Sequence, residues 1–176
     1  MSAKKFRSRS GSEPGENSGA GEADPGRSLS AGSMTAGPRI ERGWCLNVGL
    51  GGLLFWLAGG GALEAFHGFK WGRYLEDEIR REAWTLAHAH GTLFSAVCLL
   101  LALLLPALGL SPAARKWADR LFAAGAVLLP LGFLLGGISH SEGDPGPLIL
   151  LVPIGGGLAA LSLFILLAAR RFESTR

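Results

Sequence analysis

Apolar residues along this chain run on in four long stretches, residues 44–66, 84–108, 118–138 and 147–169. About 20 mostly apolar residues are enough to cross the hydrocarbon core of a bilayer as an α-helix, and each stretch meets that length. The apolar positions are continuous and do not alternate, which excludes a transmembrane β-barrel. The polar intervals 67–83, 109–117 and 139–146 are short, and short connections make successive helices antiparallel neighbours. The predicted fold is therefore all-α, an integral membrane, up-and-down bundle of four transmembrane helices over residues 44–169.

The flanks read differently. Residues 1–43 are rich in Ser, Gly, Glu and Pro and carry too little apolar surface to offset the entropy of ordering, so a disordered N-terminal tail is expected. Lys4, Lys5, Arg7 and Arg9 suit either a solubilising, orientation-setting role or contact with anionic lipid. No apolar run precedes Trp44, so no cleaved signal peptide is expected. Residues 170–176 form a short polar C-terminal tail.

Composition narrows the class further. Charged residues make up 18% of the 176, against about 25% in soluble domains, and 20 of the 31 fall in residues 1–43 and 67–83. A soluble globular domain and a coiled coil are thereby excluded. A net charge of +3, so dispersed, gives no reason to expect nucleic acid; the expected partners are the lipid bilayer and a larger membrane protein complex. Two Cys make at most one bridge and exclude a disulfide framework. Cys98 lies about 21 Å along the second span and Cys45 opens the first, so each is expected to be a small buried apolar residue without pairing.

Thirteen of the Lys and Arg fall in the tail, in the second connection together with Arg120 just beyond it, and in the C-terminus, and four in the other connections. By the positive-inside rule both termini are cytoplasmic, and the expected location is the cell membrane, a bacterial inner membrane. Trp44, Trp71, Trp84 and Trp117 stand at predicted span ends, where indoles favour the interface; Trp56 is mid-span and predicts plain packing. Glycines crowd the spans, with Gly132 and Gly136 in a G-x-x-x-G pair and Gly155–Gly157 consecutive. They predict close helix approach, and Pro106, Pro130 and Pro153 predict local bends.

Four histidines carry the candidate chemistry. The topology brings His67, His88, His90 and His140 to one membrane face, with Glu64 one helical turn before His67 and Glu142 and Asp144 just after His140. Ionisable groups in spans are costly and usually functional. Imidazole is the commonest metal ligand and an axial ligand of haem. Glu64, His67, His88, His90 and His140 are therefore candidate metal ligands, and His67, His88 and His140 candidate haem ligands. On a regular helix His88 and His90 lie about 200° apart. The His88 side continues with Gly91, Thr92 and Ser95, so His88 is expected inward and convergent with Glu64, His67 and His140. The competing reading is that all these groups are interfacial, meeting headgroups and water.

The segment His88-Ala89-His90-Gly91-Thr92-Leu93-Phe94 resembles the H-x-H-E-x-L-F segment of NnrS-type haem/copper membrane proteins, where it opens a membrane helix. Gly91 stands where that family has an acid, and that family has more spans. The resemblance implies haem or copper binding by His88 and His90.

Two functions follow. One is a redox or metal-handling accessory protein holding haem or a transition metal near one membrane face. The other is a structural or interaction subunit of a larger complex. A transporter fits less well, because repeats and midplane charges are missing. Neither a nucleophile–base pair nor a phosphate-binding loop is present, so an enzyme reading would rest on a redox centre alone.

Overall fold

The computed structural model describes residues 43–141 and 143–173. The predicted disordered tail, apart from Gly43, lies outside the described residues, as do Glu142 and the last three residues. In chain order the elements are α1 (Trp44–Gly68), a single turn α2 (Gly72–Leu75), α3 (Glu78–Leu104), α4 (Pro112–Gly136) and α5 (Leu151–Glu173). Short 3-10 turns at Leu105–Leu108 and Pro147–Leu150 extend α3 at its end and α5 at its start. Among the described residues there is no strand, and the one extended pairing is an isolated bridge between Ser141 and Asp144. α1, α3, α4 and α5, with these extensions, are long and apolar enough to cross a membrane. The protein is an all-α, multipass membrane protein built as a four-helix bundle.

Two helices start well before their apolar stretches. α3 begins at Glu78 because Asp77 caps it, accepting from the backbone N–H of Arg80 at 3.0 Å. α4 begins at Pro112, with Ser111 accepting from Ala114 N–H at 3.3 Å and proline at a first-turn position, where its missing N–H costs nothing. Capping chemistry sets where a helix starts, and hydropathy sets where it enters lipid. A helix of α3's length spans about 40 Å, so its charged first turns project beyond a hydrocarbon core of about 30 Å.

The helices are unequally enclosed. In its most apolar window α4 is 44% buried and α1 only 11%, so α4 is the central element and α1 is peripheral. α5 packs chiefly on α4, α3 packs on both α1 and α4, and α1 meets α4 more lightly. Small residues set the α4–α5 approach. A β-carbon on Gly125 would lie 2.6 Å from the Gly155 carbonyl oxygen, and one on Gly132 would lie 2.8 Å from the backbone nitrogen of Val152. The expected glycine packing is thus present, and it extends beyond the Gly132–Gly136 pair. Fully buried Ser162 adds an interhelical bond, its hydroxyl donating to Ala118 O at 2.7 Å.

The main buried cluster lies at the end opposite the histidines, formed by Cys45, Cys98, Leu101, Ala102, Phe122, Ala126 and their neighbours. Asp119 of α4 organises this end. α1 begins after Gly43, which has no side chain to cap it. Asp119 accepts instead from the backbone N–H groups of Trp44 at 2.8 Å and Cys45 at 3.0 Å. Both cysteines are free and buried, as expected, and they belong to the same buried cluster.

Candidate functional site

The opposite end of the bundle holds the four histidines. Each has its own partner, and the partners differ. His88, half-buried, turns towards α1, where its Nδ1–H donates to the Trp56 carbonyl at 2.8 Å. Gly60 permits this approach, since a β-carbon there would lie 2.5 Å from His88 Cε1. Beneath it the Trp56 indole sits over Gly91 so closely that any β-carbon at position 91 would collide with the ring. Trp56 is buried, as mid-span packing predicts. The Gly60–His88 and Gly91–Trp56 contacts form one interlock between α1 and α3.

His90 points away from α1. Its ring lies 5.1 Å from that of Phe133 in α4, and its Nδ1–H donates to its own helix at Leu86 O, 2.9 Å. His67 and Glu64 are exposed on α1. His67 donates to Leu63 O at 3.0 Å, and the two form no ion pair among the described residues.

His140 follows α4 and reaches across to the start of α3. Its Nε2–H donates to Asp77 Oδ2 at 2.7 Å. The same oxygen lies 3.3 Å from the Arg80 guanidinium, while Oδ1 caps α3. Arg80 also donates to the carbonyls of Arg73 at 2.8 Å and Gly137 at 3.3 Å, and Arg81 donates to Leu75 O at 2.7 Å. Two arginines thus satisfy carbonyls left open at α2 and at the end of α4. Asp77 ties the start of α3 to the segment after α4, and Arg80 carries the link on to α2. The sequence signal for Asp77 was present, an Asp immediately before a helical Glu-Ile-Arg-Arg run.

Aromatic rings fill the space between α1, α2 and α3. Phe66 lies 4.6 Å from Trp71, 5.6 Å from Tyr74 and 6.2 Å from Trp84, measured between ring centroids. Tyr74 is fully buried, and its hydroxyl has no hydrogen-bond partner. Trp84 Nε1–H donates to Leu134 O at 3.2 Å, tying α3 to α4. Beside these rings a cavity of about 160 Å³ is lined by His88, Trp56, Phe66, Trp84 and Leu134 among others.

The expected convergence of Glu64, His67, His88 and His140 does not occur. Among the described residues no three His, Cys, Asp or Glu side chains are grouped to hold a metal ion. The helix rotations explain this: His88 faces α1, His90 faces α4, and Glu64 and His67 face outward. The cavity beside His88 is also much smaller than a porphyrin ring, so these residues do not fit a haem within it. The 88–94 segment lies ten residues inside α3 and does not open it.

Two predictions test this geometry. Gly60→Ala is expected to destabilise the protein by about 1–3 kcal/mol through overpacking, whereas in a His88→Ala background the same change should cost nearly nothing. Denaturation in detergent across the four-protein cycle measures the coupling, and additive effects would show that the two residues do not touch. The second concerns Asp77, whose carboxyl is held below its ordinary range chiefly by the Arg80 backbone N–H, then by the His140 imidazole and the Arg80 charge. A lowered folded-state value contributes stability above the unfolded value of 3.8, and that contribution is lost as pH falls through the folded value. The wild type should therefore lose its advantage over Asp77→Asn below about pH 4. Thermal unfolding of the two proteins from pH 7 to pH 3 gives the comparison, and a gap that stays constant over that range would contradict it.

Comparison with protein-family models, with curated proteins and with solved structures finds no match for this chain.

Proposed function

We propose that this protein is a membrane-embedded interaction subunit, whose four spans pack beside a larger membrane protein complex. One observation carries the reading: each of the four imidazoles at the histidine end is hydrogen-bonded within the chain, while α1 leaves a broad apolar face uncovered. Leu50, Leu54, Phe55 and Leu57 are more than half exposed, and Gly51 and Gly61 face open space. In a bilayer, exposed Leu and Phe are at home against lipid, whereas small residues on such a face let a second helix approach closely. The Lys and Arg distribution supports both termini being cytoplasmic, and the short connections between spans are the ground for placing the protein in a bacterial inner membrane.

A photo-crosslinking residue at position 54, in native membranes, is expected to give one defined adduct with another membrane protein. The same probe at buried Leu101 should give none. Introducing Gly51→Leu and Gly61→Leu should abolish the adduct. Labelling only of lipid at position 54 would overturn the proposal.

A second reading keeps haem or a transition metal, in a redox or metal-handling role. It is favoured by the hydrogen bond from His88 Nδ1 to Trp56, because an imidazole that donates from one nitrogen presents the other as a ligand. Further donors, whether His67, His90, His140 and Glu64 after rearrangement or residues of a partner, would have to complete the site. An absorption spectrum and elemental analysis of protein purified with its partner separate the readings: a Soret band or stoichiometric metal, lost in His88→Ala, supports the second.

A further inference from the structure

At the end of the bundle opposite the histidines, a cavity of about 340 Å³ opens between the start of α1 and the junction of α3 with α4. Its wall is two-sided in character. Arg115, Lys116 and Arg120 line one part, and Trp44, Leu105 and Pro106 line another. Lys116 and Arg120 are one helical turn apart and exposed, so their cationic heads share one face of α4. Among the described residues the one acid in the lining is Asp119, and both its carboxylate oxygens are engaged by the backbone N–H groups of Trp44 and Cys45. Its charge is satisfied at the start of α1, and the exposed heads of Lys116 and Arg120 lie along the cavity wall. Trp44 is 61% exposed and Trp117 58%, the placement of indoles at the headgroup level of a bilayer.

We propose that this cavity is a binding site for an anionic phospholipid, with the headgroup phosphate held by Lys116 and Arg120 and bordered by Arg115. The glycerol backbone and first methylenes lie along Trp44, Leu105 and Pro106. The chemistry selects this ligand. A phosphate diester supplies acceptor oxygens for guanidinium and ammonium groups, and basic pockets between membrane helices are suited to such headgroups. A soluble phosphate would use the cations but leave the apolar wall without a partner. The site is remote from the histidine end, so it stands whether or not the reading of an interaction subunit holds.

Native mass spectrometry of the full chain, released from detergent with phosphatidylglycerol or phosphatidylcholine added, tests the site. The wild type is expected to retain one phosphatidylglycerol in preference to phosphatidylcholine by about 30-fold, from roughly a fivefold contribution by each of the two cationic residues near the membrane surface. In the double variant Lys116→Gln, Arg120→Gln the preference should fall to about twofold or less. The charge-conserving pair Lys116→Arg, Arg120→Lys should keep most of it, which separates loss of charge from loss of folding. Arg73→Gln, at the opposite end, should change nothing. The proposal is overturned if the wild type shows no preference for the anionic lipid or if the double variant retains it. It is also overturned if millimolar inorganic phosphate displaces the lipid, which would mark a soluble phosphate site, or if deleting residues 1–35 abolishes binding, which would assign the lipid to the tail.

Discussion

Gly155→Ala is expected to destabilise the bundle by about 1–3 kcal/mol, and Gly155→Val by more. A β-carbon at position 155 would lie 2.5 Å from the backbone nitrogen of Leu129 and 2.9 Å from its Cα. These are main-chain atoms of a regular helix and cannot rotate aside as a side chain can. Relief requires α5 to move away from α4. α5 packs on little else, so the movement would also stretch the bond from Ser162 to Ala118 at the far end of the same interface. Gly157 provides the control, since a β-carbon there meets nothing within 4 Å. Gly157→Ala should stabilise by roughly 0.5–1 kcal/mol through helix propensity alone. Unfolding of both variants by denaturing detergent, followed by helicity, is the measurement. Equal behaviour of the two would show that the helices do not approach as closely as described.

Asp119→Ala is expected to cost about 2–3 kcal/mol. The change removes a charged acceptor from two backbone N–H groups at once, and hydrogen bonds to charged groups contribute more than neutral ones. It also removes a carboxylate from the positive end of the α1 dipole. No side chain on α1 itself can substitute, because its N-cap is Gly43. Asp119→Asn keeps one acceptor oxygen and should lose about half as much. Hydrogen exchange at Trp44 and Cys45 localises the effect: both amides should exchange faster in Asp119→Ala, while those of α5 stay unchanged. Unaltered exchange at the start of α1 would mean that water already satisfies these groups.

The membrane class, the number of helices and the packing role of glycine were all legible in the sequence. Each follows from a local property: apolar length against bilayer thickness, continuity of the apolar run, and the absence of a β-carbon. The starts of α3 and α4 were legible in principle, through Asp77 and Ser111, but a hydropathy reading locates the lipid boundary and passes over caps outside it. Which residues meet across helices was not legible. The sequence alone placed four histidines at one end of the bundle, because topology determines depth. Their separation was decided by helix rotation, which depends on the partner surfaces: Gly60 admits His88 to α1, Phe133 receives His90, and Asp77, 63 residues away in sequence, receives His140. The same holds for Asp119, whose role exists only because α4 places a carboxylate opposite the uncapped start of α1. Depth in a membrane is a sum over one segment's residues, whereas a side chain's partner is a property of two segments and their relative rotation, which only the tertiary structure decides.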